Sequence, residues 1–333
     1  MPEPWSKILR RKTRPARHWV LWRIVRAAEW VFSHLAPRVS IALGAGLGRV
    51  AYYLDAPHRR LAVEQIRAAF AGEMDEAHIH RVARGVFENL GRSAAEICLA
   101  RRFGEPFLRE RYSFVGAENP VRCREQGQGF LFVTAHLDNW EMLGAAGALL
   151  LGLPMLAVAQ RQSDAMLDQW LAETRQRLGM KLHARGADAR SLLRGLRGGA
   201  ALCALLDQDT EGVGCFVPFF GRDAFTLTGP ALLALRAGVP VFAAFSRRNP
   251  DKLTHTVTIG EAITLPASGP PASGLPANSS GAKTDKEEAE SKAHELTRLL
   301  MRATEQAIRQ APDQWVWFHR RWRRRPEGEG SGS

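Results

Sequence analysis

The chain has 333 residues, of which 45% are hydrophobic and 24% charged, a balance that supports a sizeable core in one large or two small domains and excludes a globally disordered protein. Its formal charge of +12 calls for an acidic partner: nucleic acid, an anionic membrane, or an acidic carrier with a phosphorylated substrate. The charge gathers at the two ends, in Lys7, Arg10, Arg11, Lys12, Arg14 and Arg17, and again in Arg320, Arg321, Arg323, Arg324 and Arg325.

The basic N-terminus lacks an apolar core followed by a small-residue cleavage site, so no cleavable signal peptide is expected. Next comes HWVLWRIVRAAEWVFSHLAP, residues 18 to 37, at about twenty residues long enough to span a bilayer. Arg23, Arg26 and Glu29 are costly inside a span, so an interfacial helix with Trp19, Trp22 and Trp30 at headgroup level competes with a transmembrane one. VSIALGAGLGRVAYYL, residues 39 to 54, extends the same apolar surface. Both stretches also fit core helices of a soluble domain, but the basic flank favours anionic cytoplasmic lipid. The expected organisation is therefore a membrane-associated helical segment over 1–56, a main domain over 57–325, and a disordered tail over 326–333.

HRRLAVEQIRAAF and HIHRVARGVFENLGRSAAEICLARRF, within 57–104, carry apolar residues at spacings of three and four and predict helices. From residue 128 the pattern changes. GFLFVTAH, LPMLAVAQ (153–160), AALCALLDQD (200–209) and VPVFAAFSR (239–247) are buried-strand candidates. WEMLGAAGALLL, DAMLDQWLAETRQRLG, DARSLLRGLRGG and TGPALLALRAG are the helices between them. This alternation predicts an α/β fold with a mostly parallel or mixed central sheet flanked by helices, binding its ligand at the carboxyl ends of the strands. Residues 265–292, rich in Pro, Gly, Ser and Ala and then in charge, are expected to form a flexible insertion, with a helix from about Ala293 to Gln310. The four cysteines, Cys98, Cys123, Cys203 and Cys215, show no C-x-x-C or zinc-type spacing, which suits reduced thiols in a cytoplasmic compartment.

TAHLDNWEML, residues 134 to 143, follows the first strand of the alternation. On one continuous helix His136 and Glu141 would lie about 140° apart, but across a strand-to-helix turn they can meet. Glu141 then orients one imidazole nitrogen and leaves the other as a base. Asp138 is expected to cap the following helix, with Asn139 the other candidate. Gln160-Arg161 and Asp207-Gln208-Asp209 end two further strands and converge on the same sheet edge. Asp207, Asp209 and His136 could also hold a divalent metal, as in a hydrolase, although no second metal cluster or phosphate-binding Gly-rich loop accompanies them. There is no G-x-S-x-G elbow, and Cys203 and Cys215 lack an adjacent base. A base without an enzyme nucleophile predicts direct attack by a substrate hydroxyl or amine on an acyl carbonyl. The competing reading is a nucleic-acid-binding protein that uses the basic ends with Trp315, Trp317 and Trp322.

AHLDNWE, then LLDQD, then FVPFFGRDAFTLTGPALLALRAGVPVFAAF, and finally APDQWVWFHRRWRRRPEG resemble, in that order, the lipid A biosynthesis acyltransferases of Gram-negative bacteria, over nearly the whole chain. The resemblance implies a glycerolipid-acyltransferase-like fold at the cytoplasmic face of the inner membrane. It implies acyl carrier protein as donor and, as acceptor, the hydroxyl of a 3-hydroxyacyl chain on a Kdo-bearing lipid A precursor, with no cofactor, no metal and no nucleic acid. His136 and Glu141 match the family's catalytic pair, Asp207 its strand-end aspartate, Arg161 its strand-end arginine, and Arg175, with Arg177 nearby, an arginine of the following helix. Asp209 is assigned a supporting role. The phosphatidylinositol mannoside acyltransferases share the His-x4-acid core and supply the alternative acceptor.

Overall fold

The computed structural model describes residues 5–159, 164–184, 189–265 and 281–326. Five helices come first: α1 (Trp5–His34), α2 (Pro37–Leu54), α3 (Ala56–Ala69), α4 (Glu76–Phe103) and the short α5 (Glu105–Arg109). Strands and helices then alternate as β1 (Tyr112–Val115), α6 (Glu118–Glu125), β2 (Phe130–Thr134), α7 (Trp140–Leu150), β3 (Met155–Ala159), α8 (Ala165–Arg177), β4 (Lys181–Ala184), α9 (Ala189–Arg197) and β5 (Ala201–Leu205). A hairpin of β6 (Gly214–Phe219) and β7 (Arg222–Leu227) precedes α10 (Gly229–Ala237), β8 (Val241–Arg248), β9 (His255–Ile259) and α11 (Gly281–Gln310). A 3-10 turn, Pro312–Gln314, leads into the C-terminal segment.

Seven strands form one sheet in the order β1-β9-β8-β2-β5-β3-β4. β2 is its central strand, parallel to β5 on one side and β8 on the other. The β8–β9 pair is antiparallel, so the sheet is mixed. Every residue of β2 is buried. Leu131 and Val133 join a core with Ile66, Leu196, Ala231 and Leu300, while Phe130 and Phe132 join another with Phe107, Met142 and Ala146. Helices thus cover both faces, which is why this strand reads as an unbroken apolar run rather than an alternating one.

The N-terminal helices attach to this body by close packing and by charge. A Cβ on Gly44 would fall 2.3 Å from the Gly91 carbonyl oxygen, and one on Gly91 2.0 Å from that of Gly44, so the glycines of α2 form a seam against α4. The opposite side of α2 presents Val39, Leu43, Leu47, Val50 and Leu54, all exposed and spaced three or four apart. On α1, Glu29 accepts from Arg101 Nε of α4 (2.8 Å) and from the Trp170 indole of α8 (3.1 Å). This charge inside the 18–37 stretch is therefore directed at protein. No helix among the described residues is long and apolar enough to cross a membrane.

The polar stretch after residue 265 departs from expectation in part. Residues 266–280, like the tail from 327 onward, lie outside the described residues, but 281–292 are the first turns of α11 rather than a flexible insertion. The reason is charge placement: Glu288 pairs with Lys292 (2.6 Å) and Lys286 with Glu290 (3.8 Å), each four residues apart on a solvated helix face.

Candidate active site

The pairing of β2 with β5 sets Thr134 opposite Leu205. Two residues further along each parallel strand, beyond the carboxyl ends, stand His136 and Asp207. His136 Nδ1 lies 2.9 Å from Asp207 Oδ1, and the His136 backbone N–H donates to Oδ2 at 2.8 Å. An ionised carboxylate only accepts, so Nδ1 carries the proton and Nε2 is the nitrogen left for a substrate. Asp207 is fully buried, whereas the His136 side chain is 23% exposed. Burial alone would lower the His136 pKa, but the charge and hydrogen bond of Asp207, aided by Glu141, hold it above its ordinary value. Burial would raise Asp207, and the facing imidazole with the bonds it receives holds it well below the carboxylate range instead. Both shifts describe one ion pair.

The expected His136–Glu141 orientation is corrected by this geometry. Glu141 lies on the first turn of α7 and faces α8, where Arg175 grips both its oxygens, Nε to Oε2 at 2.8 Å and Nη2 to Oε1 at 2.5 Å. Asp207 has the imidazole because strand register places it there. The Arg175 guanidinium is partly buried yet held above its ordinary pKa by Glu141 against the cost of burial. Of the two arginines at the end of α8, Arg175 is the one that pairs with Glu141, whereas Arg177 is exposed. Arg161 lies outside the described residues. The Trp140 ring meets the His136 ring edge-on at 5.0 Å. Burial, with the charge of Glu141, pushes the Cys203 thiol of β5 up to about 12, which disfavours a thiolate there.

The C-terminal segment supports the site from behind. Trp315 Nε1 donates to Asp207 Oδ2 at 2.7 Å, and His319 Nε2 lies 3.0 Å from the Asp207 carbonyl oxygen. Burial pushes His319 down to about 4, leaving it neutral with its proton on the donating nitrogen. Asp209 turns the other way and pairs with Arg324, which lies over the Phe225 ring. The D-x-D pair is thus split between two partners, and among the described residues no group of three or more His, Cys, Asp or Glu is placed to hold a metal. Trp315, Trp317 and Trp322 are buried, and the Arg321 guanidinium is sunk onto Phe225 O and Thr226 Oγ1. These aromatics belong to the core and are not available to stack on bases, contrary to the nucleic-acid reading.

The helix cap is Asn139, whose side chain accepts from Met142 N at 3.3 Å. Asp138 is not a cap. It takes a left-handed backbone conformation (φ 53°) and points its carboxylate into the interior beside Arg248 and His255. The roles of Trp315, His319 and this buried group are not readable from local pattern, because each depends on strand order and on the return of the C-terminus to the sheet edge.

The sequence profile of the family described as bacterial lipid A biosynthesis acyltransferase matches residues 7–324. The chain is 25% identical over 316 residues to the lipid A biosynthesis lauroyltransferase of Escherichia coli (strain K12), covering 94% of each chain. It is 24% identical over 319 residues to the palmitoleoyltransferase of the same organism, covering 95% of this chain and 94% of that one. To a lipid A biosynthesis acyltransferase of Haemophilus influenzae it is 28% identical over 225 residues, 67% of this chain and 62% of the other. With a strand-end histidine–aspartate pair in place and the family profile spanning nearly its whole length, the chain belongs to the bacterial lipid A biosynthesis acyltransferases.

Proposed function

We propose that this acyltransferase moves a fatty acyl group from acyl carrier protein to the hydroxyl of a 3-hydroxyacyl chain on a Kdo-bearing lipid A precursor, at the cytoplasmic face of the inner membrane. The acceptor class follows from the relatives, which are named for lipid A biosynthesis. The observation that carries the chemistry is the His136–Asp207 pair, with Nδ1 engaged and Nε2 left over. Nε2 takes the proton of the acceptor hydroxyl as its oxygen attacks the thioester carbonyl. Asp207 stabilises the imidazolium that forms. Arg175, fixed by Glu141, supplies positive charge to the carbonyl oxygen as it becomes anionic. Collapse expels the carrier thiolate, which recovers the proton from Nε2, and the product is an acyloxyacyl ester. No enzyme nucleophile and no cofactor takes part.

The exposed apolar row of α2, the exposed Trp19, Ile24 and Trp30 of α1, and the basic N-terminus that precedes them in sequence suit contact with an anionic lipid surface without a span. That surface is also where a lipid acceptor would be met.

The test is mass spectrometry of the lipid product formed by purified protein, with acyl carrier protein donors and the Kdo-bearing precursor. One added acyl chain is expected from wild type and none from His136→Ala. A folded His136→Ala protein working at the wild-type rate would overturn the mechanism.

A further inference from the structure

His136 belongs to the 135–139 loop, whose far side closes over a set of buried charges that the transfer chemistry does not use. Arg248 ends β8, His255 begins β9, and the antiparallel register sets the two opposite each other. β8 adjoins β2, so both residues stand at the sheet edge that carries His136. α4 crosses that edge and brings Asn89, Ser93 and Glu96 into it.

Glu96, Asp138, Arg248 and His255 form a closed quartet, with side chains at most 1% exposed. Arg248 Nη2 donates to Glu96 Oε2 at 2.9 Å and lies 3.3 Å from Asp138 Oδ1, and Nη1 pairs with Glu96 Oε1. His255 Nδ1 lies 2.6 Å from Asp138 Oδ2 and its Nε2 3.1 Å from Glu96 Oε1. Acceptors on both sides mean that the ring holds both protons, and two anions then balance two cations. A buried ion cluster of this kind adds little net stability over apolar packing, but its directional bonds specify one arrangement.

What the quartet grips is the catalytic loop, at two consecutive residues. Asp138 sits at φ 53°, which non-glycine residues adopt rarely and keep only where their surroundings fix them. Its carboxylate accepts from Ser246 Oγ at 2.7 Å, and its backbone N–H donates to Gln314 O at 2.8 Å. Asn139 donates from Nδ2 to Glu96 Oε2 at 2.9 Å while capping α7. Gln314 in turn pairs its side chain with the Arg248 backbone in both directions.

We infer that Asp138 is a positioning residue: together with Glu96, Arg248 and His255 it locks the 135–139 loop so that His136 meets Asp207 and the acceptor in one orientation. The inference rests on the acyl-transfer reading of His136. It also gives the enzyme an alkaline limit that does not belong to the base. Around His255 stand Asp138 from the loop, Glu96 from α4, Arg248 from β8, the stacked Tyr112 ring from β1 and Asp251 from the β8–β9 turn. Burial would pull His255 down, but the two carboxylates hold it at about 9. A raised histidine stabilises fully below its ordinary value of 6.5 and loses that contribution as pH rises through about 9.

The experiment measures kcat and KM for full-length Asp138→Asn and Ser246→Ala, with a panel of saturated acyl carrier protein donors and the Kdo-bearing precursor, well below each variant's unfolding temperature. Asparagine tolerates the left-handed backbone and keeps the volume, while the serine change removes one hydroxyl. Expected is a fall in kcat of about tenfold or more for Asp138→Asn and a smaller fall for Ser246→Ala, with KM within about twofold of wild type. Glu96→Gln should move the alkaline limb to lower pH. Folded variants with wild-type kcat, changed only in unfolding temperature, overturn the inference, as does an alkaline limb that Glu96→Gln leaves in place. If Asp138→Asn does not fold, Ser246→Ala decides on the same terms. His136→Ala in the same assay separates the two readings: if active, the base assignment falls; if inactive beside wild-type Asp138→Asn and Ser246→Ala, only the lock falls.

Discussion

Trp315 and Asp207 are joined by an indole N–H bond of 2.7 Å to the carboxylate oxygen Oδ2, which leaves Oδ1 to the imidazole of His136. The same Oδ2 also accepts from the His136 backbone N–H, so the C-terminal segment and the loop after β2 hold the aspartate together. Trp315→Phe removes the donor and keeps most of the aromatic volume. Loss of one hydrogen bond to a buried charge costs about 1–3 kcal/mol, so kcat should fall by roughly an order of magnitude. The unfolding temperature should fall too, because Trp315 is fully buried. Steady-state kinetics at a temperature where the variant is folded check this, and an unchanged kcat there would show that Asp207 does not need the tryptophan.

With His136 as the proposed base, Asp207 should also set the pH dependence. A general base works when deprotonated, so activity should rise with pH as the His136 imidazolium loses its proton, with a midpoint above 6.5 because Asp207 raises that pKa. Asp207→Asn removes the charge responsible. The acid limb should move to lower pH while the plateau drops by roughly 10²–10⁴-fold, the usual worth of an oriented base. A pH–rate profile of kcat/KM for wild type and variant decides it. A limb that stays put in the variant would assign the acid limb to another group.

The Glu141–Arg175 pair makes a different prediction, since in the proposed mechanism it acts by charge rather than by holding the base. Glu141→Gln leaves a partly buried guanidinium with a weakened partner, and Arg175→Lys loses the two-pronged grip. Each should reduce kcat/KM. Because the two side chains bond each other, the double variant should lose less than the sum of the singles, by a coupling of about 0.5–3 kcal/mol. A double-mutant cycle on kcat/KM measures that coupling, and strictly additive losses would mean that Glu141 and Arg175 act independently.

Much of this frame is legible in the sequence. FLFV, MLAVA, ALCAL and VFAAF announce their strands because both faces of the sheet are covered, and the helices between them keep apolar spacings of three and four. β1 and β4 are four residues each, and β9 follows a polar turn, so none stands out from loop. The residues at the site are legible as well, but their pairing is not. His136 and Glu141 are neighbours in sequence, whereas the His136–Asp207 pair depends on β5 lying directly beside β2, a fact of sheet order that local spacing does not contain. The same limit applies to Asp138. In sequence it is a helix-cap residue type, and only the meeting of α4, β8 and β9 shows the buried charges it answers.

The apolar row on α2 carries the last prediction. Val39, Leu47 and Leu54 are exposed and lie on one side, away from the seam with α4. Replacing all three by serine should leave the fold intact, since no core contact is removed. If this face lies in a lipid surface, each side chain contributes up to about 1.5–3 kcal/mol of burial there, so the triple variant should lose most of its binding to vesicles containing phosphatidylglycerol. High salt should weaken wild-type binding further, because the basic N-terminal segment contributes attraction screened by ions. Cosedimentation with such vesicles, read alongside thermal unfolding of the same variant, checks the proposal. Wild-type vesicle binding by a folded triple variant would remove α2 from the membrane contact and leave the basic segment and α1 to account for it.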